Sequence, residues 1–454
     1  MYLLKSIAHK LGIDKSIFFT SLCRIIQAAG GLISILFVAK YLTEVEQGFY
    51  YTFGSIVAIQ VFFELGLNGI ITQYVAHEVS YLDWKDSQSL IGEEKYLSRL
   101  SSLLHFSVKW YSYFALILLV TLIVIGFIFF TKYQSSTDNV VWRLPWILLA
   151  TTTSINLLIA PMLAFFEGLG KVKEVAQIRL IQQCIGLIVA WGALFCGAKL
   201  YVAGINWLVN ITIIFILIWN SNFKSIFINI WKSEITERVN YKKEIFPYQW
   251  KIALSWISGY FIFQLFNPVL FATEGAIVAG QMGMTLQALN GIQALSICWI
   301  TTKIPLFSGL IAQKDYKLLD TIFNKTLKQS LSINGGFLIL MLIFIWIIRY
   351  WHIMIGNLDL GNRFLPYTPM IFMMVSLFIN QFTNSWATYL RCHKQEPFLI
   401  NSIVGGILCG LSTIILGKYY GVLGITGGYF FITFTMSFWG YGIFKTNKNV
   451  WHGK

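Results

Sequence analysis

The feature that most constrains this chain is a series of apolar stretches, each long enough to cross a bilayer. A helix needs about 20 mostly apolar residues to span a hydrocarbon core about 30 Å thick. Hydrophobic residues make up 56% of the chain and charged residues only 12%, too few charges for a soluble surface. The sequence therefore predicts an all-α integral membrane protein. Twelve spans can be placed, at residues 17–41, 50–75, 107–131, 144–166, 175–197, 200–220, 250–273, 276–302, 329–349, 366–390, 397–417 and 420–444.

The distribution of positive charge predicts how these helices are oriented. With a cytoplasmic N-terminus, 26 of the 34 lysines and arginines fall in inner segments and 7 in outer connectors, while Arg24 lies inside the first helix. Basic residues collect in cytoplasmic loops, so both termini are predicted to be cytoplasmic. The same bias accounts for the net charge of +14, and no nucleic-acid partner is predicted.

The two halves of the chain resemble each other. Glu174 corresponds to Glu396, and Gly204 corresponds to Gly424. Six spans per half is an even number, so the copies should share one orientation and be related by a pseudo-two-fold axis along the membrane normal. The predicted parts are an amphipathic N-terminal helix, an N-terminal six-helix lobe, a cytoplasmic connector, a C-terminal six-helix lobe and a cytoplasmic tail, at 1–16, 17–220, 221–249, 250–445 and 446–454.

The segment at 247–315 starts the second half and carries amides inside two predicted spans. An unpartnered amide costs several kcal/mol in hydrocarbon, so these groups should face protein or water. Two interpretations stay open, because the amides could bond across helix contacts or line a cavity. Pro268 allows a bend in the first of these helices. The amides are Gln264, Asn267, Gln287, Asn290 and Gln293.

Charged and polar residues also form stripes on the first two helices. Arg24 and Gln27 share one face of the first, and Gln60, Glu64 and Asn68 share one face of the second. Arg24 and Glu64 fall at similar depth, so they are expected to be able to meet. Either they form a structural ion pair, or Arg24 binds an anionic substrate with Glu64 as its resting counter-ion. In the second case, protonation of Glu64 would release Arg24, which is a hypothesis of proton coupling.

Further polar residues extend the candidate site. Asn380 and Asn384 add amides from the tenth helix, and a set of neutral amides suits the hydroxyls of a sugar. Lys303 precedes Pro305 near a cytoplasmic helix end, where a phosphate headgroup would first be met. Anchoring by the positive-inside rule is the alternative role for this lysine.

Signals of catalysis are missing from the sequence. It contains no GxxxxGK[ST], HExxH or GxSxG motif and no CxxC pair, and its six histidines are scattered. The chain is therefore predicted not to be an enzyme and to hold no metal or cofactor. Coupling to H⁺ or Na⁺ is left open.

Several short motifs resemble those of a known transporter family. They are Tyr41-Leu42-Thr43, Gln47-Gly48-Phe49-Tyr50, Glu64-Leu65-Gly66-Leu67 and Glu167-Gly168-Leu169-Gly170-Lys171. Together they are similar to the oligosaccharide flippases of the MOP superfamily, in particular the O-antigen and capsule repeat-unit flippases called Wzx. Two further motifs also resemble a group of polysaccharide-locus membrane proteins; they are Asn267-Pro268 and Ala279-Gly280-Gln281-Met282-Gly283-Met284.

This resemblance implies two six-helix lobes around a central cavity that opens alternately to the two sides. It also implies a polyprenyl-pyrophosphate-linked oligosaccharide as cargo, and Arg24 is similar in position to the family's phosphate-binding basic residues. The expected protein is a flippase for lipopolysaccharide O-antigen or capsule in the bacterial inner membrane. Its expected partners are the lipid-linked oligosaccharide, membrane lipids and, as a further candidate, the polysaccharide polymerase machinery.

Three rivals stay open at this point. A cation-coupled drug or metabolite antiporter of the same superfamily would need an acidic network, for which Glu64 is the candidate. A membrane-embedded polymerase or glycosyltransferase would need catalytic residues in an outer loop, and the longest one offers His352, Asp359 and Arg363. A structural scaffold would need no intramembrane arginine or amides.

Overall fold

Nearly all of the described chain is helical. The computed structural model describes residues 15–86, 88–135, 139–219, 223–355, 358–393 and 395–452. Most of the predicted N-terminal amphipathic helix, residues 1–14, and the last two residues of the predicted tail lie outside these ranges.

Sixteen α-helices in this part of the chain are numbered α1 to α16 in chain order. They are Lys15–Tyr41, Glu44–Val57, Val61–Glu64, Leu67–Val79, Glu94–Tyr133, Arg143–Gly168, Val172–Phe195, Tyr201–Trp219, Phe223–Lys232, Phe246–Phe263, Phe266–Thr273, Ala276–Thr301, Ile304–Ala312, Tyr316–Tyr350, Tyr367–Arg391 and Leu399–Trp451.

The described chain also contains two short antiparallel hairpins and three short turns of 3₁₀ or π helix. Strands β1 and β2 are Leu82–Trp84 and Leu90–Gly92, and strands β3 and β4 are Met354–Ile355 and Leu358–Asp359. The turns are 3₁₀ at Ala58–Gln60 and Leu360–Arg363 and π-helical at Tyr241–Ile245.

The predicted spans correspond in order to these helices. Ten helical segments in the described ranges are long and apolar enough to cross a membrane, and α15 matches the predicted tenth span. One segment, α16, joins the last two predicted spans across Gly421, where φ is 55° and the backbone is not helical. A side chain at Gly421 would overlap the Glu274 carboxylate, which accepts a hydrogen bond from the Val422 amide (3.1 Å). The prediction of an all-α multi-pass membrane protein is therefore confirmed.

The chain divides into two compact units. The first comprises Met1–Gln27, Val57–Lys132 and Val141–Trp256, and the second comprises Ala28–Ile56, Tyr133–Val140 and Ile257–Lys454. Helices α1 and α10 each run from one unit into the other. The lobe boundaries predicted from the sequence stay a prediction.

In the first unit, α6 packs against α4, α7 and α8. Trp146 of α6 is fully buried, and its indole N–H donates to the Leu122 carbonyl of α5 (3.0 Å). The ring lies directly over Gly126, where a Cβ would overlap it, so a glycine is required for this approach. Two interactions therefore hold α5 against α6, namely the packing of the ring and the hydrogen bond from its N–H group.

In the second unit, α15 packs against α16, and α12 packs against α11, α14 and α15. The part of α1 from Ala28 onward belongs to this unit together with α2, where Phe49 meets Phe271 of α11 edge to face (4.9 Å). A cluster of buried aromatic residues packs α13, α14, α15 and α16 together. They are Phe307, Phe323, Tyr389, Phe398 and Phe444.

Candidate functional site

Gln287 of α12 is held by two hydrogen bonds within the second unit. Its carbonyl oxygen accepts from the Tyr51 hydroxyl (2.6 Å), and its amide donates to the Gly31 backbone carbonyl (2.6 Å). Both partners belong to the α1–α2 segment. Gln287 therefore bonds across a helix contact, one of the two roles that the sequence left open.

Asn267 also bonds within the second unit. It is 5% exposed, and its amide donates to the Ser55 hydroxyl of α2 (3.0 Å). The helix breaks just before it, since α10 ends at Phe263 and α11 begins at Phe266. The bend predicted near Pro268 is therefore present, and Asn267 joins α11 to α2.

The other predicted amides of this unit are less buried. Asn290 and Asn384 are exposed, whereas Gln264 and Gln293 are half-buried. None of these four side chains has a hydrogen-bond partner in the described chain. Asn380 is half-buried and donates to the Tyr429 hydroxyl (2.8 Å). Asn290 and Gln293 are three residues apart, so they lie on one face of α12.

Lys303 lies between α12 and α13 and is half-buried. Its ammonium group forms no ion pair with any residue that the structure describes. A basic group free of a counter-ion can take either of the roles predicted for it, as an anchor at the membrane surface or as a contact for a phosphate headgroup.

In the first unit, Glu64 and Asn68 form a small polar group at a break in the helix. Asn68 donates to Glu64 (2.8 Å) and accepts from the buried Tyr111 hydroxyl (2.8 Å). Leu65 and Gly66 both have positive φ, of 50° and 67°, which ends α3 and starts α4. Glu64 and Asn68 lie four residues apart, on either side of this break.

Gln60 precedes this break, in the 3₁₀ turn at Ala58–Gln60, and is half-buried. Its carbonyl oxygen is buried without a hydrogen-bond partner. The shared role of Gln60, Glu64 and Asn68 in binding a substrate stays a prediction.

Arg24 and Gln27 are both exposed on α1. The expected meeting of Arg24 with Glu64 does not occur, because Glu64 takes Asn68 as its partner and Arg24 forms no ion pair with any described residue. Asn68, four residues along the same chain, gives Glu64 a neutral hydrogen-bond donor in place of a guanidinium.

A second arginine lies close to Arg24. The Cys23 thiol contacts the Arg179 backbone carbonyl (3.7 Å), which brings α1 against α7. The Arg179 guanidinium pairs with Glu167 (2.9 Å), and about half of the Arg179 side chain is exposed. Glu167 thus neutralises Arg179, whereas Arg24, beside Cys23, forms no ion pair with any described residue.

The loop that would carry the catalytic residues of a membrane-embedded enzyme contains Arg363, which has a structural role. Arg363 is 1% exposed and donates to the carbonyls of Leu42 (2.7 Å) and Ala39 (3.3 Å) and to the Gln47 side chain (3.0 Å). Burial lowers the pKa of Arg363, and the charges of Glu44 and Glu46 oppose that effect. Arg363 caps the end of α1 and is not available to a substrate.

Several partners of these residues escaped the sequence analysis. Tyr51 and Ser55 lie four apart on α2 and share the face that receives Gln287 and Asn267. That spacing was the signal that could have found them. Tyr111 was missed as well, because its partner Asn68 lies 43 residues away in the chain.

A charged cluster in the first unit holds the connector that precedes α10. Arg99 donates to Glu78 (3.1 Å) and to Glu244 (2.6 Å), and the Tyr74 hydroxyl donates to the Glu244 backbone carbonyl. Burial alone would raise the pKa of Glu244, but the hydrogen bonds from Arg99 and from the Asn240 amide outweigh it and hold that pKa below its usual value.

Glu244 should therefore make the stability of the protein pH-dependent. A carboxylate with a lowered folded-state pKa stabilises the fold above its unfolded pKa of about 4.3, and that contribution is lost as the pH falls through the folded value. We expect Glu244→Gln to lower the unfolding temperature at pH 7 and to have a smaller effect near pH 3. Thermal unfolding of the purified protein at both pH values measures this.

Glu237→Gln is the matched control, because the Glu237 carboxylate is half-exposed and makes only a distant contact with Lys95 (3.9 Å) among the described residues. It should change the unfolding temperature little at either pH. An equal effect of the two substitutions at pH 7 would show that the Glu244 cluster does not hold the connector.

Comparisons with known proteins identify the fold. No family model and no curated protein sequence matches the chain. A structure of the lipid II flippase MurJ in an inward closed conformation has a TM-score of 0.58 at 15% identity, covering 94% of this chain and 87% of that one.

Two structures of a multidrug resistance MATE family transporter of the MOP superfamily are also similar. The inward-facing one has a TM-score of 0.57 at 13% identity, covering 92% of this chain and 98% of that one. The outward-facing one has a TM-score of 0.56 at 12% identity, covering 96% and 97%. The protein therefore has the all-α membrane fold of the MATE and MurJ transporters.

Proposed function

We propose that this protein is a flippase for polyprenyl-pyrophosphate-linked oligosaccharide repeat units. It moves them across the bacterial inner membrane by alternating access, with both of its termini in the cytoplasm, to supply surface polysaccharide such as O-antigen or capsule. The proposal draws on the fold, since structures of that fold include a lipid II flippase and both inward- and outward-facing transporters. The cargo is argued from the charge and polarity of this chain's own residues.

The observation that carries the proposal is that Arg24 is exposed in a membrane-spanning helix and forms no ion pair with any residue that the structure describes. A guanidinium at membrane depth costs about 2.5 to 3.5 kcal/mol, so it is expected to serve a purpose there. Glu167 neutralises the neighbouring Arg179, but no described carboxylate neutralises Arg24. An anion with two or more oxygens, such as a pyrophosphate, satisfies the planar guanidinium in bidentate geometry.

The sugar part of the cargo requires neutral hydrogen-bonding groups. Four amide side chains have no hydrogen-bond partner in the described chain and are exposed or half-buried, namely those of Asn290, Gln293, Asn384 and Gln264. They can therefore form hydrogen bonds with sugar hydroxyls. Gln287 and Asn267 already bond to Tyr51 and Ser55 and would instead fix the helices that present these amides. The proposed set of substrate-binding residues also includes Gln27, Gln60, Asn68, Asn380 and Lys303.

One observation favours a second candidate, an antiporter of organic cations. Glu64 is a half-buried acid in a membrane-spanning segment, and its partner is a neutral amide. A carboxylate that lacks a basic partner attracts a cationic drug or a proton. The two candidates thus depend on different residues, Arg24 for an anionic lipid and Glu64 for a cation.

Deletion of the protein in its native cell distinguishes them. We expect lipid-linked repeat units to accumulate in the cytoplasmic leaflet and surface polysaccharide to disappear, with both defects reversed by the wild-type chain. Normal surface polysaccharide combined with new sensitivity to cationic drugs would contradict the flippase proposal and support the antiporter. A strain that lacks the polysaccharide polymerase is the control, since it should accumulate repeat units on the outer leaflet instead.

A further inference from the structure

Two histidines from distant parts of the chain meet at one end of the second unit. His393 follows α15 and His452 follows α16, and their Nε2 atoms lie 3.3 Å apart although 59 positions separate them in the chain. Both side chains are half-buried. The histidines are scattered in the sequence, so the fold is what brings this pair together.

Contacts around the pair fix both imidazole rings. His393 Nδ1 lies 3.3 Å from the Tyr389 backbone carbonyl, and because a carbonyl oxygen only accepts, this nitrogen carries the proton. The Nε2 atom of the neutral His393 ring therefore presents a lone pair to His452. The His452 ring stacks on Tyr316 of α14, with 4.0 Å between the ring centroids. Metal-binding histidines commonly use their second nitrogen as His393 does, on a backbone carbonyl.

A phenol oxygen lies beside the two imidazoles. The buried Tyr389 hydroxyl donates to the Asp320 carboxylate (2.7 Å), and its oxygen lies 3.5 Å from His452 Nε2. Asp320 also pairs with Lys448 (3.0 Å), so the charge of this carboxylate is balanced. Lone pairs from one nitrogen and one oxygen thus converge near His452 Nε2.

The separation of the two nitrogens fits ligands of a shared ion better than a direct hydrogen bond. Hydrogen bonds from N–H groups are usually about 2.7 to 3.2 Å long. Two imidazole nitrogens that each lie about 2.0 to 2.1 Å from a tetrahedral Zn²⁺ ion are about 3.3 to 3.4 Å apart. The 3.3 Å between His393 Nε2 and His452 Nε2 agrees with the second arrangement.

The donor atoms select the kind of metal. Neutral imidazole suits Zn²⁺, Cu²⁺ and Ni²⁺, whereas Mg²⁺ and Ca²⁺ prefer carboxylates and other oxygens. The neighbouring Cys392 thiol donates to the Thr388 carbonyl (3.2 Å) and does not face the pair. Within the described ranges, no group of three or more His, Cys, Asp or Glu residues is placed to hold a metal. Water or the Tyr389 oxygen would therefore complete the coordination of the two imidazoles.

We propose that His393 and His452 bind one divalent transition-metal ion, with Zn²⁺ as the first candidate. Such an ion joins the end of α16 to the segment that follows α15, and the Tyr389–Asp320 hydrogen bond links the same point to α14. The site uses none of the residues proposed to bind substrate, so it does not depend on the proposed function.

Titration of the purified full-length protein with Zn²⁺ in detergent, followed by calorimetry after removal of any histidine tag, tests the site. We expect about one Zn²⁺ ion per chain and no binding of Mg²⁺. Loss of the hydrogen-bonding partner behind a ligand costs about 10- to 100-fold in affinity, so loss of a ligand should cost at least about tenfold. His393→Gln and His452→Gln should therefore each weaken Zn²⁺ binding by about tenfold or more.

His105→Gln is the matched control. His105 Nδ1 also bonds to a backbone carbonyl, that of Ser101 (2.9 Å), and its ring also stacks on an aromatic side chain, Trp231 (3.7 Å). No second imidazole contacts it among the described residues. Its replacement should leave Zn²⁺ binding at the wild-type affinity.

Thermal unfolding separates loss of the site from loss of the fold. With a chelator present, the wild type and all three variants should unfold at similar temperatures. Added Zn²⁺ should raise the unfolding temperature of the wild type and of His105→Gln, but not that of His393→Gln or His452→Gln. No Zn²⁺ binding by the wild type, or equal affinity in the wild type and His393→Gln, would overturn the proposal and leave the pair as a hydrogen bond between two imidazoles.

Discussion

Replacing Arg24 with alanine should abolish surface polysaccharide while the protein still accumulates in the membrane at its wild-type level. Arg24 is exposed and forms no ion pair in the described chain, so its loss leaves no buried carboxylate without a partner. Removing a charge from a membrane-spanning helix also makes insertion easier. The expected loss is about 100-fold or more in flipping rate, because two charge-assisted hydrogen bonds to the pyrophosphate disappear.

Lysine at the same position separates phosphate binding from anchoring. A lysine can extend to the membrane surface as well as an arginine does, but it lacks the planar fork that binds phosphate in bidentate geometry. Arg24→Lys should therefore insert normally and restore only part of the activity. Arg143→Ala is the control, since Arg143 is also exposed, at the start of α6, and stacks on Trp142. Full activity of Arg24→Ala would show that the phosphate is bound elsewhere.

Replacing Arg363 with leucine should destabilise the protein by about 3 to 5 kcal/mol. Three acceptors, the carbonyls of Ala39 and Leu42 and the Gln47 side chain, would lose their guanidinium donors in a site that water does not reach. Gln47 would keep its own bond to the Gly280 carbonyl (2.8 Å), so part of the contact between the α1–α2 segment and α12 should survive.

Thermal unfolding in detergent measures this loss, and two further variants calibrate it. Arg363→Lys should also be strongly destabilising, because one ammonium group cannot reach three separate acceptors. Lys418→Ala removes an exposed charge from α16 and should change stability by no more than about 0.5 kcal/mol. An unfolding temperature of Arg363→Leu equal to that of the wild type would mean that this buried arginine does not hold the loop to α1.

The spans were predictable because a bilayer imposes length and polarity on every helix that crosses it. The break near Pro268 was predictable for a similar local reason, since proline removes a backbone donor and crowds the preceding turn. The break at Leu65 and Gly66 was not, because a leucine with positive φ gives no signal in the sequence. The hydrogen bond between Asn68 and Glu64 across this break follows their four-residue spacing, and Arg24 forms no ion pair in the described chain.

The roles of the amides could not be assigned from sequence either. Gln287 and Asn290 are neighbours on α12, yet one bonds to Tyr51 and Gly31 and the other is exposed. What separates them is a partner more than 200 residues away in the chain, which a local pattern does not encode. Arg363 was noted as a loop residue that could serve catalysis, and long-range contacts with Ala39 and Leu42 give it a structural role instead.

The most direct measurement is flipping in liposomes that contain the purified protein and a fluorescent polyprenyl-pyrophosphate-linked oligosaccharide. Access of a membrane-impermeant quencher reports how much of the lipid has moved between leaflets. We expect rapid movement with the wild-type chain and almost none with Arg24→Ala, while an organic cation is not transported. Transport of the cation by the wild type, with no movement of the lipid-linked sugar and a dependence on Glu64, would contradict the flippase proposal.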